Sequence, residues 1–227
     1  FPLLRGRDIE RWQATPTYMI IVPQDPDDPA KGITETDLQL KHPKTYAFLR
    51  GFEEQLRKRS GFKQFFDIAI APFYSIYNVG PYTFAKHKVC WREVSRDINA
   101  AVCAPIGGKV TIPDHTLIAV ACDSSDEAHY FCALINSAPA NFIVRGYVAL
   151  HPSPHVLKYI KIGKYDPKDK VHRALATNSK ALHEAPAAGD SAKLTALEAE
   201  NLELAAAHWG LETYEVADIT ASLEELA

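Results

Sequence analysis

The run Lys86–Glu93 (KHKVCWRE) constrains the fold more than any other part of the chain. Neighbouring side chains of a strand point to opposite faces of its sheet. Alternation therefore places Val89 and Trp91 together on one apolar face. The opposite face is basic and carries Lys86, Lys88 and Arg92. This pattern predicts a half-buried strand with a basic outer row, in a sheet that has a core on one side only.

An aromatic loop within residues 72–84 precedes this strand, and a further cation, Arg96, follows it. Rings close to Lys and Arg side chains are typical of a nucleic-acid surface, because bases stack on the rings and phosphates bind the cations. They are also typical of a filled core with a solvated rim, and this alternative is favoured for Tyr82, Phe84 and Trp91. The loop side chains considered for nucleic-acid contact are Tyr74, Tyr77, Asn78 and Tyr82.

The clearest helical pattern begins at Pro43, a residue type that suits the first position of a helix. Apolar side chains then recur at three- and four-residue spacing, at Tyr46, Leu49, Phe52 and Leu56. Glycine commonly ends a helix. We therefore predict one helix that runs from Pro43 to just before Gly61.

Strand and helix patterns are mixed along the rest of the chain. Strand patterns occupy residues 17–23, 100–103, 116–122 and 156–162. Ser124 and Glu127 form a capping-box pattern that predicts a helix, and Pro139 begins a second one. The mixture predicts an α+β fold, with a mixed sheet and packed helices in residues 1–165.

Residues 166–227 are rich in Ala, Leu and Glu and predict a helical C-terminal segment. Asp190 or Ser191 is expected to cap a helix, and Thr213 the last one. The first of these helices has an apolar stripe of Leu194, Leu197, Leu204 and Ala205. An unpartnered stripe is unstable in water, so we expect it to pack on the body or on a domain outside this sequence.

Charge is distributed unevenly along the chain. Residues 177–227 carry two basic and ten acidic side chains, whereas residues 1–176 carry 23 basic and 18 acidic ones. A mildly basic body with an acidic tail is compatible with polyanion binding by the body, although it does not require it.

The sequence contains no P-loop, no G-x-S-x-G, no H-E-x-x-H and no Asn-Pro-Pro-Tyr motif, so we predict no catalytic centre in this part of the protein. His151 and His155 flank two prolines, where a loop role is favoured over a metal site. The cysteines lie in apolar segments without C-x-x-C spacing, which favours buried free thiols of a cytoplasmic protein. The chain begins at Phe1 without Met, and we expect further sequence upstream.

Five segments, in their order along the chain, resemble one family. They are LLRGRDIERW, HPKTYAFLRGFEEQLRKR, FYSIYNVGPYTFAKHKVCWRE, CALINSAPANFIV and NLELAAAHWGLETYEVADI. Together they are similar to the C-terminal specificity region of adenine-specific DNA methyltransferases, of which the TaqI-like target recognition domain is the type. The alanine-rich tail and the negative net charge of −3 depart from the family pattern.

The resemblance implies a division of labour between two domains. An N-terminal catalytic domain of the same chain, outside this sequence, would bind S-adenosylmethionine and methylate the exocyclic amine of a flipped adenine. The present region would bind double-stranded DNA and read its sequence, without a cofactor or metal of its own. Such enzymes serve restriction-modification or phage-defence systems, act in the cytoplasm and need no membrane.

Base reading needs paired donors and acceptors, and phosphate binding needs cations and hydroxyl groups. The residues expected to contact DNA are the loop residues Tyr74, Tyr77, Asn78 and Tyr82, the strand-associated cations Lys86, Lys88, Arg92 and Arg96, and Arg5 and Arg7 of the turn at Gly6. The alternative function is a protein-interaction module that uses the acidic amphipathic tail. A free-standing enzyme is the third possibility, without a catalytic constellation to support it.

Overall fold

A computed structural model describes residues 1–25, 27–147 and 154–226. The chain divides into two compact units. Unit I comprises Phe1 and Ile20–Phe84, and unit II comprises Pro2–Met19 and Ala85–Ala227. Helices and strands coexist in a mixed arrangement, which confirms the predicted α+β fold class. The predicted domain boundary between residues 165 and 166 stays a prediction. The residues directly next to it on either side lie in unit II.

Unit I is built from short helices around a small core. Its helices are α1 (Glu35–Lys41), α2 (Pro43–Arg50), α3 (Glu53–Lys58) and α4 (Ser60–Phe65), and a 3-10 turn covers Pro81–Phe84. The buried core consists of Leu38, Leu49, Phe73 and Tyr74, with Ile33, Tyr46 and Leu56 packed against it. Two aromatic residues of the predicted surface loop thus complete the core beneath the helices.

The prediction of one helix from Pro43 to Gly61 is wrong. The helical path is interrupted twice, at Gly51–Phe52 and at Arg59, whose ψ of 132° is extended. Glycine has a low helix propensity, which favours the first interruption. At the second, the Arg59 side chain bonds to backbone carbonyls outside the helix. Gly61 lies inside α4.

In the part of unit II that the structure describes, small sheets are formed by β1 (Pro2–Leu4), β2 (Ile9–Glu10), β3 (Gln13–Ala14), β4 (Tyr18–Met19), β5 (His87–Arg92), β6 (Ala100–Val102), β7 (Ile112–Pro113) and β8 (Leu117–Cys122). The order β4–β1–β7 is mixed, because β1 is antiparallel to β4 and parallel to β7. In β6–β5–β8, the central strand β5 is antiparallel to both neighbours. β2 and β3 form an antiparallel pair.

Strand β5 is covered on both faces, so the predicted basic outer row is wrong. Val89 and Trp91 lie in the main core, as alternation predicts. Cys90, on the opposite face, is equally buried in a second core with Leu4 and Ile9 of the N-terminal segment. That segment folds over the face expected to meet solvent, a contact far apart in sequence that local periodicity does not reveal.

The described residues of unit II also form the helices α5 (Ser125–Ile135), α6 (Ala138–Tyr147), α7 (Lys170–Ala188), α8 (Ser191–Trp209) and α9 (Thr213–Glu225). The capping prediction for α8 is confirmed, since the Asp190 carboxylate accepts from the Lys193 amide at 2.9 Å. Helix α7 lies within residues 166–227, which the sequence predicts to be helical, although its bounds and its cap were not predicted. Asp169 caps it, with its carboxylate accepting from the Val171 and His172 amides.

The apolar stripe of α8 packs inside unit II. Leu194 and Leu197 contact the main core, and Leu204 and Ala205 join a cluster with Tyr130 of α5. The stripe therefore lies against the body, one of the two positions that its sequence predicts.

The predicted strand at residues 156–162 is wrong. A 3-10 turn covers Pro154–Lys158, and the buried apolar residues Val156 and Ile160 are four positions apart, a spacing that suits a turn of helix rather than a strand. His155 is exposed there, whereas His151 lies outside the described residues. None of the described helices combines the length and apolar composition of a membrane span.

Candidate nucleic-acid interface

The residues predicted to contact DNA are divided between the two units. Tyr74, Tyr77, Asn78 and Tyr82 belong to unit I, whereas Arg5, Arg7, Lys86, Lys88, Arg92 and Arg96 belong to unit II. The aromatic loop and the strand therefore belong to separate compact bodies, with the boundary directly after Phe84.

Tyr74 is a core residue of unit I rather than a surface residue. Its side chain is buried, and its hydroxyl donates to the Ile33 carbonyl at 2.8 Å. Burial raises the pKa of this phenol. The ring also packs edge-on against Phe73 at 4.9 Å. The ring of Tyr74 thus fills space that the short helices leave open. The surface position predicted for Tyr74 is wrong, because the ring is buried in this core.

Tyr77 lies on the surface in a defined position. Its ring stacks on Phe65 with a centroid distance of 4.7 Å and an interplanar angle of 18°. A β-carbon added at Gly61 would lie 2.4 Å from the Tyr77 ring, so the absence of a side chain at Gly61 makes room for the ring. The result is an exposed aromatic pair with little freedom to move on one side.

Asn78 and Tyr82 form the tip of the same loop. Asn78 has a φ of 57°, a left-handed conformation that Asn tolerates better than most residues. The Tyr82 hydroxyl donates to the Asn78 carbonyl at 2.8 Å and lies 3.0 Å from its Oδ1. Both side chains are exposed. The amide nitrogen of Asn78 faces no described partner and is available to a base edge.

Two polar side chains that sequence reasoning did not identify hold this loop: Gln24, which is buried, and Arg59, which is half-buried. Arg59 donates to the Phe73 carbonyl at 2.9 Å and to the Ser75 carbonyl at 3.0 Å. The Gln24 side chain accepts from the Ile76 amide at 3.1 Å and donates to the Ile76 carbonyl at 3.2 Å. Together they fix the backbone immediately before Tyr77. In the sequence Arg59 follows Arg57 and Lys58, and cations at the C-terminal end of a helix are explained by the helix dipole without any further contact.

Helices α2–α4 supply positive charge in unit I. Residues 41–63 carry seven basic and two acidic side chains, a net charge of +5. Arg57 and Lys58 pair with Glu53 and Glu54 at 2.7 and 2.5 Å, as the i,i+4 spacing of opposite charges in the sequence predicts. Such surface pairs contribute little stability.

Lys88 is buried in unit II. Its ammonium group donates to the Thr111 carbonyl at 2.6 Å, and burial lowers its pKa. The exposed position predicted for this cation is wrong because the N-terminal segment and β7 cover that face of β5. The Lys88 side chain therefore holds the backbone at Thr111 against β5. Its buried ammonium group is not accessible to a DNA phosphate.

Arg92 and Arg5 make hydrogen bonds to backbone and side-chain groups of unit II. Arg92 donates to the carbonyls of Gly6 and Ile9, both at 2.8 Å. Arg5 donates to the Asp8 carboxylate at 3.0 Å and lies over the Tyr18 ring at 4.0 Å. The hydrogen bond from Arg5 lowers the pKa of Asp8. These guanidinium groups shape the turn at Gly6.

The remaining predicted cations of unit II are exposed. They are Arg7 in the turn, Lys86 before β5 and Arg96 after it. Each has the accessibility that a phosphate contact requires, and each stays a predicted DNA contact. Within the described residues, no three His, Cys, Asp or Glu side chains converge as a metal site.

Comparison with known proteins identifies no family. No protein-family model matches the chain, and no curated protein matches it. The similarity to adenine-specific methyltransferases thus depends on the five sequence segments alone.

Proposed function

We propose that this chain is the DNA sequence recognition module of an adenine-specific DNA methyltransferase of a restriction-modification or phage-defence system. The observation that carries the proposal is the loop of unit I, in which Tyr77, Asn78 and Tyr82 are exposed on a fixed backbone that follows the basic helices α2–α4. Exposed rings, a free amide and cations in one small body are the groups that DNA binding requires.

Catalysis belongs to another domain under this proposal. The sequence has no Gly-rich cofactor loop and no Asn-Pro-Pro-Tyr motif, so S-adenosylmethionine is assigned to the N-terminal catalytic domain of the parent enzyme. The alternative, a protein-interaction module, has less support, because the stripe expected to dock on a partner packs within unit II.

The first test is the salt dependence of duplex DNA binding. We expect affinity to fall steeply with salt, because cations that bind phosphates release counterions. The double variant Lys58→Gln/Lys63→Gln should weaken binding to all sequences alike and reduce the slope of log K against log [salt] by about one to two. Fluorescence anisotropy at several salt concentrations measures both effects.

Lys31→Gln is the matched control, because Lys31 is an exposed lysine of unit I that pairs with Asp28 in an acidic loop. It should leave the salt slope unchanged. A flat salt response of the unmodified chain, or equal slopes for the double variant and the unmodified chain, would contradict the proposal.

The second test concerns sequence reading by Asn78. Asn78→Gly keeps the left-handed backbone and removes the amide, since glycine adopts positive φ without strain. We expect the preference for the cognate site to fall about tenfold, the size of one lost base contact, with little change in non-specific affinity. Lys31→Gln, which changes an exposed side chain in the acidic loop of unit I, should retain the preference. Competition against a randomised DNA pool measures it, and an unchanged preference in Asn78→Gly would exclude this role.

A further inference from the structure

Phe65 presents an open aromatic face in unit I. Its ring stacks on Tyr77 with a 4.7 Å centroid distance, yet 56% of the residue is exposed. A ring that is covered on one face and still more than half exposed has its second face open to solvent. Most proteins bury such a ring, and a stacked surface pair therefore calls for an explanation.

The pair is held in place before any ligand arrives. Gly61 leaves room for the Tyr77 ring, and Arg59 and Gln24 fix the backbone that leads to Tyr77. Tyr77 in turn supports Phe65 from behind. A rigid platform loses little conformational entropy on binding, so its contact with a flat ligand is more favourable than that of a mobile ring.

The charge around the platform selects a polyanion. Residues 57–65 contain four basic and no acidic side chains. Arg59 is used by the backbone, and Arg57 and Lys58 are paired with glutamates. Lys63 is exposed two residues before Phe65. An exposed π-surface in a segment with this excess of positive charge suits a nucleobase of a polyanion.

The base must be unpaired. In a continuous duplex each base has both faces covered by its neighbours, so a protein ring can stack only on a base that has left the helix or was never paired. We propose that the Phe65–Tyr77 platform binds one unpaired or extrahelical nucleobase in the DNA that the module contacts. This inference depends on the proposed DNA-binding function and adds a specific structure of the DNA to it.

The test uses three 20-base-pair duplexes (a length of about two helical turns) and the full chain. One duplex is fully paired, one has a single bulged adenine, and one has an abasic bulge at the same position. We expect the adenine bulge to bind about tenfold more tightly than the abasic bulge, as one base–aromatic stack allows. Phe65→Ala should abolish this ratio, and Phe65→Tyr should retain it.

Phe48→Ala is the matched control, because Phe48 is a phenylalanine of unit I with the same exposed fraction of 56%. It should retain the ratio. Quenching of 2-aminopurine placed at the bulge gives an independent readout of stacking in each variant. Salt-dependent binding without a preference for the adenine bulge would overturn the platform and leave the DNA-binding proposal intact. Failure to bind any of the three duplexes would overturn both.

Discussion

Arg59→Ala is expected to release the Phe73–Ser75 segment and to lower the stability of unit I by about 3 kcal/mol. The guanidinium donates to three backbone carbonyls, those of Leu56, Phe73 and Ser75. Burial lowers the pKa of Arg59, which marks these contacts as partly desolvated. Removing the donor leaves carbonyls without partners, and each such loss carries a desolvation cost.

The loss should also reach DNA binding, because Tyr77 and Asn78 follow the released segment directly. Hydrogen exchange of the Ile76 amide, which donates to Gln24, reports the loop locally. Urea unfolding followed by circular dichroism gives the free energy. Arg59→Lys retains the charge but has no planar fork to reach two carbonyls, so it should restore only part of the stability.

Arg57→Ala is the control, two residues away in the same basic run. Arg57 is exposed and pairs with Glu53, so its loss should cost less than about 1 kcal/mol. Equal effects of the two substitutions would show that the helix-dipole explanation, which treats both cations alike, is sufficient. Unchanged exchange of the Ile76 amide in Arg59→Ala would rule out a clamp.

The fold class could be predicted from sequence because it depends on local patterns. The Asp190 cap, the α5–α6 sequence and the Glu53–Arg57 spacing are properties of neighbours in the chain, and all three are confirmed. The outer row of β5 could not be predicted. Its cover comes from Leu4 and Ile9, more than 80 positions away, and no periodicity within β5 encodes that contact.

The candidate site shows the same limit at the level of single side chains. Composition identified an aromatic loop next to cations, but it could not separate Tyr74, which fills the core, from Tyr77, which lies on the surface. It likewise treated Arg59 and Lys88 as members of basic rows, although backbone carbonyls bind both. These four residues thus have different roles because of partners that the sequence does not reveal.

Unit II contains a buried histidine pair that should control its acid stability. His129 and His183 are packed edge to face at 4.9 Å. The His183 Nε2 accepts from the Val102 amide at 2.9 Å, and its Nδ1 lies 2.7 Å from the Ser179 carbonyl. This arrangement requires a neutral His183 with its proton on Nδ1, because a second ring proton would face the Val102 N–H. The pair therefore ties α7 to the edge strand β6.

Burial lowers the pKa of His183, and it lowers the pKa of His129 to about 3. The neighbouring His183 and Lys180 lower the pKa of His129 further, and Asp126 opposes this shift. The unfolded chain takes up protons near the ordinary histidine value of 6.5, whereas the folded unit resists them. Stability that is complete above pH 6.5 is consequently lost as pH falls toward 3. Carboxylates such as Asp8, whose pKa the Arg5 hydrogen bond lowers from the ordinary value of 3.8, lose their contribution mainly below that pH.

Between pH 6 and pH 4.5 we expect the free energy of unfolding of unit II to fall by roughly 2 to 4 kcal/mol, up to about 1.4 kcal/mol per pH unit for each histidine. All three tryptophans, Trp12, Trp91 and Trp209, lie in unit II, so urea titrations followed by tryptophan fluorescence report this unit specifically.

His183→Gln, which can still accept from Val102 but cannot titrate, should be less stable at pH 7 and show a shallower pH slope. The exposed His115→Gln is the control and should retain the full slope. A stability that is constant from pH 7 to pH 4.5 would show that the buried pair takes up protons without loss of structure, and the edge of β6 would then need another source of its stability.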